Sequence, residues 1–199
     1  MSWRTTAVLF VILLLLGGYV YYQGQQEPSV EPLATPLAQP EQVELVGATV
    51  EEVNRLDITR LEDATSASFS RDETGAWFQS VPTNTEVISQ TMNTQISGLA
   101  TLRSNRTLPA DANPPATYGL DEPGYEIILA TTRDERTVRT TLLVGNETPA
   151  GDAYYVQKRN DPRVHIVPIG VIQNMIDLLE NPPLPEPTPA AAETPVGEF

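Results

Sequence analysis

Acidic residues are the commonest candidates for chemistry in this sequence, and three of them lie close together. Asp121, Glu122 and Glu126 fall in the stretch TYGLDEPGYEIIL, residues 117–129. Carboxylates at such spacing can bind a metal ion or perform acid/base catalysis, as the paired acids of glycosidases do. Adjacent residues of an extended chain, however, point to opposite sides. We therefore interpret these acids as solvated turn residues, together with the pairs Glu51–Glu52, Asp72–Glu73 and Asp134–Glu135.

Other catalytic and metal-binding signatures are absent from the sequence. His165 is the only histidine and no cysteine occurs, so a zinc site would need an unusual set of carboxylates. Because His165 stands in the middle of a predicted strand, RVHIV, we expect it on a strand surface rather than as a general base. The stretch DANPPA, residues 111–116, has alanine where a calcium loop needs glycine. We predict no catalytic residue, no metal ion and no cofactor.

The charge of the chain restricts its partners. It contains 26 acidic and 12 basic residues, which give a net charge of −14 at pH 7. Nucleic-acid binding needs a surplus of basic residues on one surface, so nucleic acid is excluded as a partner. Arg133, Arg136 and Arg139 could bind an anionic partner, but Asp134 and Glu135 lie between them. We expect instead a hairpin that neutralises its own charge.

Residues 1–22 are predicted to form a transmembrane anchor. Thr5–Tyr22 contains no charged residue, and as a helix it would span about 27 Å, close to the hydrocarbon thickness of a bilayer. A buried core helix and a cleaved signal peptide are the alternatives, but no small-x-small cleavage site follows the apolar run. Arg4 precedes this run and the next basic residue is Arg55, so we expect a cytoplasmic N-terminus and an extracytoplasmic domain. The predicted localisation is the cell membrane, with a single pass.

Two segments rich in proline enclose the part of the chain that can fold. They are residues 23–42 and residues 182–199. Such a composition buries too little apolar surface to offset the conformational entropy that is lost on ordering. We predict a linker at 23–42, an extracytoplasmic domain at 43–181 and a disordered tail at 182–199.

Alternating apolar and polar residues predict strands inside this domain. They are expected at residues 55–61, 66–71, 76–81, 125–131, 137–145, 153–158 and 163–168. Apolar residues at helical spacing predict a helix of about 18 residues from Asn84, for which Thr83 and Glu86 would form a capping box. Its apolar face is Ile88, Met92, Ile96, Leu99 and Leu102, and a second helix has the face Ile172, Met175, Ile176 and Leu179.

The order of these elements predicts an α+β fold, in which two helices pack on a mainly antiparallel sheet. Val81–Pro82 precedes the first predicted helix, and Val167–Pro168 precedes the second. This repetition suggests two β-β-β-α units. A repeated dipeptide is too short to establish a duplication, so this question stays open.

Several of these segments resemble one family of bacterial proteins. They are VNRLDITR at 53–60, FSRDETGAWFQSVP at 69–82, ISGLATLRSNR at 96–106, YGLDEPGYEIIL at 118–129, LLVGNETPAGDAYYVQ at 142–157 and VHIVP at 164–168. Their order after an N-terminal membrane helix is similar to domain-of-unknown-function family 4340 (DUF4340). The most specific pieces are Tyr118-Gly119-Leu120 with Pro123, and the stretch from Gly145 to Val156. The resemblance implies a bacterial membrane-anchored domain, in many relatives encoded beside ABC-type transporter components, and it assigns no catalytic residue.

We predict a non-enzymatic membrane protein whose extracytoplasmic domain binds other envelope proteins, as an accessory to an ABC-type transporter or to envelope assembly. The alternative is an envelope hydrolase or a glycan-binding domain that uses turn carboxylates such as Asp121 and Glu122. A purely structural spacer is the third hypothesis. Four aromatic residues could form an exposed patch for binding, although we expect core packing: Trp77, Phe78, Tyr154 and Tyr155.

Overall fold

The structure, a computed structural model, describes residues 42–185 of the chain. The predicted anchor at 1–22, and most of the predicted linker and tail, lie outside this range. Within it, no helix has the length and apolar composition that a membrane crossing requires. The described residues form an α+β fold, as predicted, with nine strands and two α-helices.

The elements follow the chain in two runs, each of four strands and a helix. The first run comprises β1 (Val53–Arg60), β2 (Ser66–Arg71), β3 (Trp77–Val81), β4 (Thr85–Glu86) and the helix α1 (Ser89–Ala100). A short strand, β5 (Arg106–Leu108), and a 3-10 helix (Pro115–Tyr118) connect the runs. The second run comprises β6 (Tyr125–Arg133), β7 (Arg136–Glu147), β8 (Ala153–Lys158), β9 (Val164–Pro168) and the helix α2 (Ile169–Glu180).

All nine strands join in one antiparallel sheet. Its order is β4-β3-β2-β1-β6-β7-β8-β9-β5, so each run starts at the centre and proceeds outward through neighbouring strands. Short turns between sequential neighbours explain why the pairs within each run are antiparallel. β1 and β6 pair at the centre, where Leu56 lies opposite Leu129 and Ile58 opposite Ile127.

Each run contains one strand more than the predicted β-β-β-α unit. Val81 ends β3 and Pro82 follows it, so that β4 comes next along the chain, whereas Val167–Pro168 ends β9 directly before α2. The two dipeptides therefore occupy different places in the two runs. The similarity between the runs is one of topology, and a duplication stays a hypothesis.

One core lies between the sheet and the two helices. α1 and α2 contact each other, and α2 lies against β1, β2, β8 and β9. Trp77 and Phe69 of the first run are fully buried in the same cluster as Leu142 and Val156 of the second. Neither run therefore has a core of its own.

The helix α1 begins later and is shorter than predicted. Its predicted start near Asn84, with a capping box of Thr83 and Glu86, is wrong because residues 85–86 pair with β3 as strand β4. Ile88, expected on the apolar face, is the residue before the helix and is 45 % exposed. The other predicted face residues are buried: Met92, Ile96, Leu99 and, beyond the helix end, Leu102.

The remaining predicted elements are confirmed with small shifts at their ends. β2 and β8 have the predicted bounds, and β7 extends past its predicted end to Glu147. Ile172, Met175 and Leu179 of α2 are buried, and Ile176 packs at the margin of the core. β4 and β5 were not predicted, because strands of two and three residues are too short to show an alternation.

Part of the sheet face opposite the helices is covered by residues 109–124. Tyr118 and Leu120 of this segment form a second, smaller cluster with residues of the sheet: Leu108, Leu143, Tyr155 and Val164. The ring centroids of Tyr118 and Tyr155 lie 4.8 Å apart. Gly145 of β7 allows the segment to approach closely, since a Cβ at this position would lie 2.2 Å from the carbonyl oxygen of Tyr118.

Candidate interaction surface

The four aromatic residues considered for a binding patch do not form one. Trp77 is fully buried, and Tyr154 is only 9 % exposed. Burial, together with the Glu147 carboxylate to which its hydroxyl donates, raises the pKa of Tyr154 to about 12. Phe78 and Tyr155 are half-buried on β3 and β8. Core packing is confirmed for Trp77 and Tyr154.

The acids of the turn before β6 lie in solvent. Asp121 and Glu122 are exposed, in agreement with their interpretation as solvated turn residues. Glu126 instead forms an ion pair with the guanidinium of Arg159. No group of three or more acidic or histidine side chains within residues 42–185 is arranged to hold a metal ion.

His165 lies on strand β9 as expected, but it is buried and not on the strand surface. It is 1 % exposed because it lies beside Val156, a core residue of β8, on the side that the helices cover. Its Nδ1 lies 3.2 Å from the hydroxyl of Thr107, and its Nε2 lies 3.6 Å from the Asp161 carboxylate. Burial lowers the pKa of His165, although Asp161 opposes this effect. The geometry is that of an enclosed, neutral imidazole.

The end of the β6–β7 hairpin, residues 132–141, extends beyond the neighbouring strands; we name it the β6–β7 arm. β7 has 12 residues, but β8 pairs with it only from Leu142 to Glu147. Residues 136–141 of β7 therefore have a strand neighbour, β6, on one side only. The side chains of residues 133–139 are exposed, and Val138 is exposed to 58 %.

A two-residue turn closes the β6–β7 arm. Asp134 and Glu135 have φ angles of 49° and 63°. Positive φ at both central residues is typical of the type I′ turn, whose twist matches that of a hairpin. Aspartate adopts this backbone more readily than most residues, but at Glu135 it is unfavourable, so cross-strand contacts must offset its cost. One such contact joins the hydroxyls of Thr132 and Thr137, which lie 3.0 Å apart.

The charges of the arm are not neutralised within it, contrary to the prediction. Arg133 forms an ion pair with Glu52, in the 3-10 helix before β1, with Nη2 2.7 Å from Oε2. The hydrogen bond from Arg133 is the largest cause that lowers the pKa of Glu52 to about 2. Glu52 is the better partner because its carboxylate also accepts a backbone N–H, which fixes its position. Arg136 and Arg139 make no ion pair with the turn acids or with any other described residue.

The sequence interpretation missed the open edge of β7. The available signal was the unequal length of two predicted neighbours, residues 137–145 and residues 153–158. A shorter partner must leave part of the longer strand unpaired. Which part remains open depends on the register of the hairpin, which pairs Glu147 with Tyr154.

A comparison with known protein families supports the resemblance that the motif residues indicate. Two of the most specific pieces of the resemblance meet in space, because Tyr118 and Gly119 lie against Gly145 and Asn146. A family model described as "Domain of unknown function (DUF4340)" matches residues 77–180, just over half of the chain. No curated protein and no solved structure matches the chain. The chain belongs to the DUF4340 family.

Proposed function

We propose that this chain is a non-enzymatic protein of the bacterial envelope whose folded domain binds other proteins. The β6–β7 arm is the observation that carries the proposal. It combines an unpaired strand edge with an exposed valine and with two arginines that make no ion pair to a described residue. Proteins usually protect such edges, because unpaired strands recruit further strands. An edge left open in this way favours a binding function.

The sequence supports the membrane part of the proposal. Thr5–Tyr22 would act as a single-pass anchor, with the N-terminus cytoplasmic and the domain on the other side. The proline-rich linker at 23–42 would hold the domain away from the bilayer surface. Because the family resemblance implies neighbouring ABC-type transporter genes, we propose an accessory role to such a transporter.

Affinity purification tests this function. The full chain, tagged and solubilised from membranes in a mild detergent, is compared with a matched variant that lacks residues 43–181 but keeps the anchor. We expect envelope proteins, among them transporter subunits, to be recovered with the full chain and not with the shortened one. Recovery of the same proteins with both chains, or of none with the full chain, would contradict the proposal.

The rival function, an envelope hydrolase or glycan-binding domain, is tested on the same material. The variant Asp121→Asn/Glu122→Gln removes both turn carboxylates with little change in shape. We expect it to recover the same partners as the natural chain. Binding of the natural chain to purified cell-wall glycan, lost in this variant, would favour the rival.

A further inference from the structure

The first half of β7 presents free backbone groups along its open edge. The N–H of Arg159 donates to the carbonyl of Thr141 at 3.0 Å, which places the backbone groups of Thr141 on the β8 side. In an antiparallel strand, alternate residues direct their N–H and C=O groups to the same side. The groups of Thr137 and Arg139 therefore face the β8 side, where no described segment pairs with them. Such a row of groups can bind an added strand.

This edge lacks three of the features that protect strand edges, which are short length, proline and a bulge. The strands at the two ends of the sheet, β4 and β5, are only two and three residues long, and short length is one such protection. Residues 136–141 contain no proline, and no bulge interrupts their pairing with β6. Val138, near the middle, is 58 % exposed. The edge therefore suits a partner strand that makes an apolar contact at its centre.

Two arginines define the charge of the partner. Arg136 and Arg139 are three positions apart, so they lie on opposite faces of β7. In a chain of net charge −14, two exposed arginines without an ion pair to described residues favour carboxylates. A second copy of this chain is disfavoured, because pairing of two identical edges would bring the arginines of both copies together.

We propose that residues 136–140 bind an extended acidic segment of a partner protein as an added antiparallel strand. Two acidic residues of that segment, three positions apart, would lie opposite Arg139 and Arg136. An apolar residue directly after the first acid would lie opposite Val138. The recognised pattern is therefore acid, apolar, any residue, acid. This inference rests on the proposed function and assigns its binding surface.

Peptide binding to the full chain in mild detergent tests the inference. The probe is a fluorescein-labelled peptide, Thr-Glu-Val-Thr-Glu-Thr, and its control carries glutamine in place of both glutamates. We expect fluorescence anisotropy to show that the control binds about 10-fold more weakly, since it forfeits two cross-strand ion pairs. Equal binding of the two peptides, or no binding of the probe, would overturn the inference.

A charge swap locates the site. The variant Arg136→Glu/Arg139→Glu should no longer bind the probe. It should instead bind a second peptide, in which lysine replaces both glutamates of the probe. The variant Arg103→Glu/Arg106→Glu makes the same change of charge at two other exposed arginines, and its affinity for the probe should be unchanged. Thr137→Pro removes an N–H on the open side together with the hydroxyl contact to Thr132, whereas Thr137→Val removes that contact alone. The proline variant should therefore bind the probe more weakly than the valine variant. Equal loss in the two charge variants would reveal a general charge effect and overturn the inference.

Partner recovery separates this inference from the proposed function. If the chain with the charge swap recovers the same envelope proteins as the natural chain, the domain binds proteins through another surface and the inference fails alone. If the full chain recovers no partner, the proposed function is contradicted, whether or not the labelled peptide binds. If the natural chain forms a dimer and the charge swap abolishes it, the edge binds a second copy of this chain and the inference of an acidic partner is overturned. If a variant does not fold by circular dichroism, the comparison of the two peptides on the natural chain decides.

Discussion

His165 takes part in a buried chain of polar contacts that joins β9 to the start of the domain. Its Nδ1 contacts the hydroxyl of Thr107, which lies 3.1 Å from the hydroxyl of Ser104. Ser104 accepts a hydrogen bond from the backbone N–H of Val43 at 2.9 Å. The imidazole therefore contributes to packing between the edge strand β5 and its neighbour, and its neutral form is the one that burial favours.

The buried imidazole predicts a stability that is sensitive to acid. The pKa of His165 is lowered from its ordinary value of 6.5 by burial, and of the charged groups that face it, Arg163 and Lys158 lower it further while Asp161 raises it. The unfolded chain therefore binds a proton at a higher pH than the folded chain. The stabilisation is fully present above pH 6.5 and is lost as the pH falls below that value. We expect the free energy of unfolding to decrease by up to about 1.4 kcal/mol per pH unit there.

Urea unfolding of the full chain in detergent, at a series of pH values, measures this slope. His165→Gln should flatten the slope just below pH 6.5, whatever its effect at higher pH. The carboxylates with a lowered pKa do not interfere, because their ordinary pKa values, 4.5 for Glu52 and 3.8 for Asp63, Asp72 and Asp161, lie well below 6.5, so their contributions are lost only at a more acidic pH. The same slope in the natural chain and the variant would assign the acid sensitivity to another group.

At the scale of elements, the close contact between β7 and residues 109–124 depends on one glycine. A Cβ at Gly145 would lie 2.2 Å from the carbonyl oxygen of Tyr118 and 3.1 Å from the carbonyl carbon of Gly119. Both are backbone atoms, which cannot rotate away as the end of a side chain can. The segment would have to move off the sheet, and the cluster of Tyr118 and Leu120 would lose contacts.

Gly145→Ala should therefore lower the free energy of unfolding by about 1–3 kcal/mol, the range for overpacking. Gly170→Ala, at the second residue of α2, is the matched control: its Cβ would meet nothing within 4 Å and alanine favours a helix, so stability should not fall. Urea unfolding measures both values. Amide exchange of residues 109–124 should also accelerate in the first variant, and an unchanged rate would contradict the close contact.

Local patterns predicted those elements whose burial is itself periodic. The alternation in β7, and in β1 at Leu56 and Ile58, where buried residues are two positions apart, follows directly from one face in the core. At residues 83–86 the local signal for a capping box failed, because pairing with β3 stabilises an extended chain there. The same limit applies to the candidate surface: Arg136 and Arg139 were visible in the sequence, but the open edge arises from the register of β7 against β8. Pairing between distant strands determines both features, and the local periodicity of apolar residues contains no information about that pairing.

At the scale of the whole molecule, the two runs of strands depend on one another. They meet at the centre of the sheet, where β1 pairs with β6 along most of its length. The helix α2 of the second run also covers β1 and β2 of the first. Because neither run can bury its apolar face without the other, we expect the domain to unfold in one cooperative step. Two units of independent stability would instead unfold in two steps.

Leu129→Ala tests this coupling at the junction of the runs. Leu129 is 1 % exposed and lies opposite β1, so its truncation should lower the free energy of unfolding by about 2–5 kcal/mol. Val138→Ala, at a position 58 % exposed, is the control and should change it by less than about 0.5 kcal/mol. Fluorescence of Trp77 in a Trp3→Phe background reports on the first run, and amide exchange in β8 and β9 reports on the second. Both transitions should move to lower urea together, because the runs share one core; a shift confined to the second run would show that each run is stable alone.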